Sequence, residues 1–213
     1  MTTLLLIRHG ETAWNAERRL QGHIDIALNP EGLRQAEALA DALAGETVDV
    51  VVASDLQRAR QTAEAVAARH GLAVQIDAAL RERCYGAFEG LLYSEIAQRY
   101  PADFRAWQAR DVDAQMPAGL REGETFRRFY QRSLTAILDW AARHPGRTLA
   151  RVAHGGVLEC AYRAATGMPL ETPRNFPIKN ASVNRFTIRD GKLGLDAWGE
   201  VAHLAPRAMD ELA

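Results

Sequence analysis

Apolar residues along this chain follow two rhythms. Thr3 to Ile7 and Val48 to Val52 are apolar at nearly every successive position, as strands covered on both faces require. Elsewhere the spacing is three and four: Leu33, Ala36, Leu39, Ala40 and Leu43 predict a helix opened by Pro30 and stopped by Gly45. Ser54 or Asp55 is placed to cap the next helix, Leu56 to His70, which Gly71 ends. Ala73 to Ile76 reads as a third strand and Thr125 to His144 as a helix closed by Pro145 and Gly146. Thr148 to Ala153 reads as a fourth strand, followed by a helix from Val157 to Ala165. Strands alternating with helices predict an α/β layered sheet, here in one domain spanning residues 1–213 with no internal repeat or low-complexity linker.

Two places break the rhythm. Between about 92 and 124 the periodicity fades while Tyr93, Tyr100, Phe104 and Trp107 gather with Pro101, Pro117 and Gly119, which predicts a lid laid over the main body. Arg151 interrupts an apolar strand, and because a buried arginine without a partner is costly, an exposed sheet edge is the expected place for it.

Composition narrows the partners. The chain carries 26 basic and 27 acidic residues, a net charge of −1, and its arginines are scattered among acids rather than clustered. Neither nucleic acid nor a membrane surface is an expected partner, so an anionic ligand would need a local pocket. The first apolar run is too short for a signal-peptide core or a membrane span, which makes the cytoplasm the expected compartment. Cys84 and Cys160 have neither metal-ligand nor redox-pair spacing and read as reduced thiols.

In an open α/β sheet, ligands bind beyond the carboxyl ends of the strands. The first strand ends on Arg8 and His9, the second on Ser54 with Arg58 one helical turn later, and the fourth on His154 followed by two glycines. Two histidines and two arginines can therefore converge on one edge, with Glu82 after the third strand as a carboxylic acid able to give and recover a proton. A histidine among such N–H donors suits attack on phosphorus. His23 reads as an exposed loop residue, His70 and His144 as helix-end residues in a favourable dipole, and His203 as a surface residue. No pair of histidines has the spacing of a metal site, so no metal is expected.

The stretches RHGETAWN (Arg8 to Asn15), RRLQGHIDIAL (Arg18 to Leu28), SDLQRARQTAEAV (Ser54 to Val66), LRERCYGAFEG (Leu80 to Gly90) and AHGG (Ala153 to Gly156) together resemble the phosphoglycerate mutase-like histidine phosphatase superfamily. The resemblance covers nearly the whole chain. It implies a three-layer α/β sandwich whose mostly parallel central sheet is flanked by helices, with a short lid insertion. It also implies that His9 becomes phosphorylated, that Arg8, Arg58 and His154 clamp the phosphoryl oxygens, and that Glu82 protonates the leaving oxygen and then activates water. Thr12, Asn15, Gln21, Gly22 and the Gly155 N–H match phosphate-pocket positions, while Arg83 and Tyr85 match substrate-binding ones. Fixed cations fit this chemistry, because a transferring phosphoryl group spreads negative charge over three oxygens, and the planar fork of arginine engages two at once. No cofactor is implied.

Members of this superfamily differ in what receives the phosphoryl group. Water gives hydrolysis, and a second phosphoglycerate gives the isomerisation of the cofactor-dependent mutases, which use 2,3-bisphosphoglycerate. Mutases resemble the chain at Glu82, Arg83, Tyr85 and Gly86, but carry a lysine where this chain has Leu91, Leu92 and Tyr93, and a longer basic insertion. The segment YSEIAQRYPADFRAW followed by GLREGET resembles the lids of broad-range phosphatases, fructose-2,6-bisphosphatase domains and α-ribazole phosphatases instead. The expectation is a metal-independent phosphatase acting on small phosphate monoesters. A mutase is the alternative, and a non-catalytic phospho-ligand binder the minor one, disfavoured because nucleophile, clamp and acid are all present. A homodimer is compatible with the chain.

Overall fold

A computed structural model describes residues 1–205; the rest of the expected domain span, 206–213, lies outside the described residues. Six strands form one sheet: β1 (Thr2–Arg8), β2 (Val50–Ala53), β3 (Val74–Ile76), β4 (Thr148–Ala153), β5 (Val183–Arg189) and β6 (Lys192–Glu200). Their order is β3-β2-β4-β1-β5-β6. The pairings among β1 to β4 are parallel, and those of β5 with β1 and β6 are antiparallel. Among the described residues seven α-helices accompany the sheet: α1 (Ala13–Glu17), α2 (Pro30–Leu43), α3 (Gln57–His70), α4 (Tyr93–Arg99), α5 (Pro101–Gln108), α6 (Phe126–Arg143) and α7 (Gly155–Thr166).

The three layers follow from the period-two geometry of β1. Leu4 and Leu6 join Phe129, Ile137, Trp140 and Leu158 on one face of the sheet. Leu5 and Ile7 join Leu39, Leu43, Ala63 and Val66 on the other. A strand covered by helices on both sides has no polar face, and Leu4 to Ile7 are all buried. The 93–124 segment shares a small core with the stretch before it, in which Ile96 and Met116 pack with Phe88, Tyr100, Phe104 and Trp107.

Several boundaries move. The second strand begins at Val50 rather than Val48, and α2 ends at Leu43 with Ala44 as its cap. Neither Ser54 nor Asp55 is the N-cap of α3; that position is Leu56, while Asp55 pairs with Arg81 at 2.7 Å. The antiparallel β5-β6 hairpin carries no counterpart in the expected elements. Arg151 is the main correction: β4 lies between β1 and β2, so this residue is in the sheet interior and fully buried rather than at an edge. Its Nη1 donates to the Ile137 carbonyl at 2.8 Å and its guanidinium lies 6.0 Å from the Trp140 ring, but Nε and Nη2 have no partner among the described residues. Burial lowers its pKa to about 9.

Candidate active site

Pairing of β1 with β4 sets Arg8 opposite Ala153, so the residues following each strand, His9 and His154, emerge side by side. Their rings meet edge to face with centroids 5.1 Å apart. The His9 amide donates to the Ala153 carbonyl at 3.1 Å, and the Asn180 side-chain amide donates to the His9 and Gly10 carbonyls. His9 Nδ1 lies 2.7 Å from the Gly10 carbonyl oxygen. A carbonyl only accepts, so Nδ1 carries the proton and Nε2 keeps its lone pair. Burial, then the charges of Arg58 and Arg8, hold the His9 pKa well below its usual 6.5, which keeps the imidazole neutral.

Arg58 enters from the first turn of α3 and is fully buried. Its Nη1 and Nη2 donate to the carbonyls of Ile24 at 3.0 Å and Gly22 at 2.8 Å, so the 20–24 loop orients the guanidinium. Thr62 links this turn to the end of β1, donating to the Arg58 carbonyl and accepting from the Gly10 amide. Arg8 is fixed by the Ile178 carbonyl at 2.7 Å. Burial lowers the pKa of both arginines to about 10, which leaves both charged at neutral pH.

The polar atoms left over point to a ligand. Arg8 Nε, Arg58 Nε, both His154 ring nitrogens and Gln21 Oε1 are buried without a partner among the described residues. Buried polar groups are nearly always satisfied, so a cluster of unpartnered ones, with the Nε–H groups of Arg8 and Arg58 and the one N–H of a neutral His154 among them, marks a place prepared for a ligand. His154 is the N-cap of α7, and the Gly155 N–H is likewise unused, which adds the positive end of a helix to the site. Burial and the charge of Arg58 hold the His154 pKa well below 6.5.

Glu82 faces the same cavity. Its Oε2 accepts from the Gly156 amide at 2.9 Å and its Oε1 from the Arg83 amide at 2.8 Å. A side chain at Gly156 would run into Glu82 Oε1 and the Phe129 ring. Glu89, the other acid of that stretch, does a different job. It accepts from the amides of His23 at 2.9 Å and Tyr85 at 3.0 Å and lies directly behind Gly22, whose φ of +57° and missing side chain let the loop pass.

Arg8, His9, Asn15, Gln21, Gly22, Arg58, Glu82, Tyr85 and Gly155 line one cavity of about 380 Å³. Thr12 does not; it is buried as the N-cap of α1, bonded to Asn15. Arg83 lies outside this cavity too, with Nε and Nη2 held by the Glu124 carbonyl at 3.0 and 2.8 Å. His23 is half-buried rather than exposed and donates from Nε2 to the Glu82 carbonyl at 2.8 Å. His203 is likewise half-buried, bonded to the Ala181 carbonyl. Arg18, Arg19 and Arg174 also reach the wall, so five arginines face two carboxylates, Glu82 and Glu159. Arg18 and Arg19 open the RRLQGHIDIAL stretch, whereas Arg174 follows α7 in a stretch with no periodic signal. Among the described residues no three of His, Cys, Asp and Glu group as metal ligands, and no helix is long and apolar enough to cross a membrane.

Comparison with known proteins fits this geometry. The sequence pattern of the histidine phosphatase superfamily (branch 1) matches residues 4–201. A phosphoglycerate mutase-like protein 4 of Arabidopsis thaliana is 39% identical over 204 residues, covering 94% of this chain and 86% of its own. A metal-independent phosphoserine phosphatase of the same plant is 38% identical, covering 96% and 84%. The structure of a phosphoserine phosphatase from Entamoeba histolytica, bound to 3-phosphoglyceric acid, superposes with a TM-score of 0.84 at 26% identity over 96% of this chain and 100% of that one. The chain belongs to the histidine phosphatase superfamily and is an enzyme of its phosphatase type.

Proposed function

We propose that the protein hydrolyses phosphate monoesters without a metal, through a phosphohistidine on His9. The observation that carries this reading is the neutral His9 ring, its Nδ1 proton held by Gly10 and its Nε2 pair free, beside the unpartnered N–H donors of Arg8, Arg58 and His154. The Nε2 pair attacks phosphorus as the bond to the ester oxygen breaks, and protonated Glu82 gives that oxygen its proton. The guanidinium groups and the Gly155 N–H stabilise charge on the three equatorial oxygens. The Glu82 carboxylate then takes a proton from a water that attacks phosphorus. The P–N bond breaks, its electron pair returns to Nε2, and phosphate leaves. The 92–124 segment acts as the lid over this cavity.

The metal-independent phosphoserine phosphatase among the relatives supports hydrolysis, and the phosphoglycerate mutase-like relative keeps the mutase as the competing outcome. A panel of phosphate monoesters in the presence of a chelator, with 3-phosphoglycerate tested with and without 2,3-bisphosphoglycerate, separates them. Free phosphate in every productive reaction is expected. Efficient isomerisation that depends on the bisphosphate and releases no phosphate would overturn the reading.

A further inference from the structure

Glu82 is held in the cavity by groups that do not themselves reach it. Its Oε1 accepts from the amide of the next residue, Arg83, so the place of that oxygen depends on the plane of the 82–83 peptide. The other end of the same peptide, the Glu82 carbonyl, accepts from Arg132 Nη2 at 3.2 Å and from His23 Nε2 at 2.8 Å. Arg132 has no part in the cavity wall. It stands on α6, a helix set in the core by Phe129 and Ile137, with its guanidinium 5.1 Å from the Phe129 ring. Its Nη1 donates to the carbonyls of Ala79 at 2.8 Å and Arg81 at 3.0 Å, so three carbonyls of the 79–82 stretch converge on one side chain. Glu124 orients that guanidinium, its Oε1 accepting from Nε at 2.9 Å and its Oε2 from Nη2 at 2.7 Å. It also closes the frame beyond Arg83: Oε2 accepts from the Cys84 amide at 2.9 Å, and the Glu124 amide donates to the Cys84 carbonyl at 2.8 Å. Burial alone would raise the Glu124 pKa, but the hydrogen bonds from Arg132 and the Cys84 amide hold it below the usual carboxylate value, which keeps the pair ionic. The two side chains are only 24% and 18% exposed, so solvent screens this pair less than a surface one. A planar fork that serves three carbonyls and a carboxylate together is a geometry lysine cannot copy.

Resting on the reading of Glu82 as the proton donor, we infer that Arg132, oriented by Glu124, is a positioning residue: it fixes the 82–83 peptide and thereby sets the Glu82 carboxyl at the leaving oxygen. It touches neither the phosphate nor the ester, so its effect reaches the reaction only through Glu82. Because Glu124 closes the 92–124 segment, the same guanidinium ties the end of that segment to the acid.

Arg132→Lys keeps the charge and removes the fork. On glycerol 2-phosphate, an alkyl ester, kcat is expected to fall about tenfold or more, as a small displacement of a reacting group causes, with KM within about twofold. On p-nitrophenyl phosphate, whose leaving group needs little protonation, kcat should stay within about threefold. Added to Glu82→Gln, where no acid remains to be positioned, the same change should cost less than about twofold. Glu124→Gln, close in shape to the native side chain, should show the same split in smaller measure, and it decides the matter if Arg132→Lys does not fold. Equal losses on the two esters, or a loss undiminished in Glu82→Gln, would overturn the inference, because an arginine that only stabilises the fold costs both esters alike. Amide hydrogen exchange reads the positioning without turnover: in Arg132→Lys the Arg83 and Gly156 amides, which hold the Glu82 carboxyl, should exchange about tenfold faster or more, while those of β1 and β4 keep their rates. Unchanged exchange at both amides would also contradict it. If the native enzyme releases phosphate from neither ester, the hydrolysis reading falls while exchange still decides the role of Arg132. If Glu82→Gln shows the split between esters and neither Arg132→Lys nor Glu124→Gln does, this inference alone falls.

Discussion

Arg58 and Arg151 are both fully buried, and both have pKa values lowered by burial, to about 10 and about 9. Their surroundings differ. Arg58 stands at the carboxyl edge of the sheet, its two terminal nitrogens held by loop carbonyls and its Nε unpartnered among the described residues, and it lines the cavity with Arg8 and His9. Arg151 stands inside β4 under α6, with two nitrogens unpartnered among the described residues, and is not one of the residues that line the phosphate cavity. The same desolvation cost can therefore mark a site or merely a flaw in the core. What separates the two is whether the spare donors converge with others on a space that a ligand can enter.

Replacing each arginine by methionine breaks or sharpens that contrast most strongly. Arg58→Met should lower kcat on any phosphate monoester by about 10²- to 10³-fold, the range for loss of one preorganised donor to developing charge. Retention of more than a tenth of the activity would place the phosphate elsewhere. Glu82→Gln is next in size: about 10²-fold for an alkyl phosphate, but less than tenfold for p-nitrophenyl phosphate, whose leaving group needs little protonation. Equal losses on both would remove Glu82 from the proton transfer.

A pH effect distinguishes the site from the core. His9 and His154 both have folded-state pKa values held well below the unfolded 6.5. The unfolded chain binds more protons below that value, so stability is full above about pH 6.5 and falls as the pH drops toward the folded-state values. Tm should therefore decline between pH 7 and 5, and inorganic phosphate should recover it more at pH 5 than at pH 7, because an anion between the rings favours their protonated forms. A phosphate effect independent of pH would contradict this account of the two histidines. The smallest effect belongs to Arg151→Met, which should leave activity within about twofold and Tm unchanged or higher by a few degrees, since an apolar side chain of similar length removes two unsatisfied donors. A lowered Tm would show that the Ile137 and Trp140 contacts outweigh the buried charge.

Sequence pattern made most of this site legible, for a physical reason. Glycine, histidine and arginine at strand ends are set by local backbone geometry, so Arg8 to Gly10, Arg58 and His154 to Gly156 could be placed as soon as β1, β2 and β4 were recognised. Thr148 to Ala153 keeps the same ends in sequence and structure. Arg151 was misplaced because its period suits an edge or an interior equally, and only the position of β4 between β1 and β2 decides. The β5-β6 hairpin has no counterpart in the sequence reading although Asn184 to Ile188 alternates in burial and Asp190-Gly191 makes the turn. Arg174 was unreadable for another reason: its place depends on Arg163 holding the carbonyls of Pro169 and Thr172, contacts that no local pattern encodes.

The central claim is that His9 carries the phosphoryl group between ester and water. Brief exposure to a phosphate monoester, quenching at high pH, proteolysis and mass spectrometry of the peptide containing Arg8 to Thr12 measure it directly. The account predicts an acid-labile, alkali-stable phosphate on His9, accumulating to higher occupancy on an activated aryl ester in Glu82→Gln and absent from His9→Ala. Full turnover with no phosphopeptide in either enzyme, or hydrolysis undiminished in His9→Ala, would contradict it.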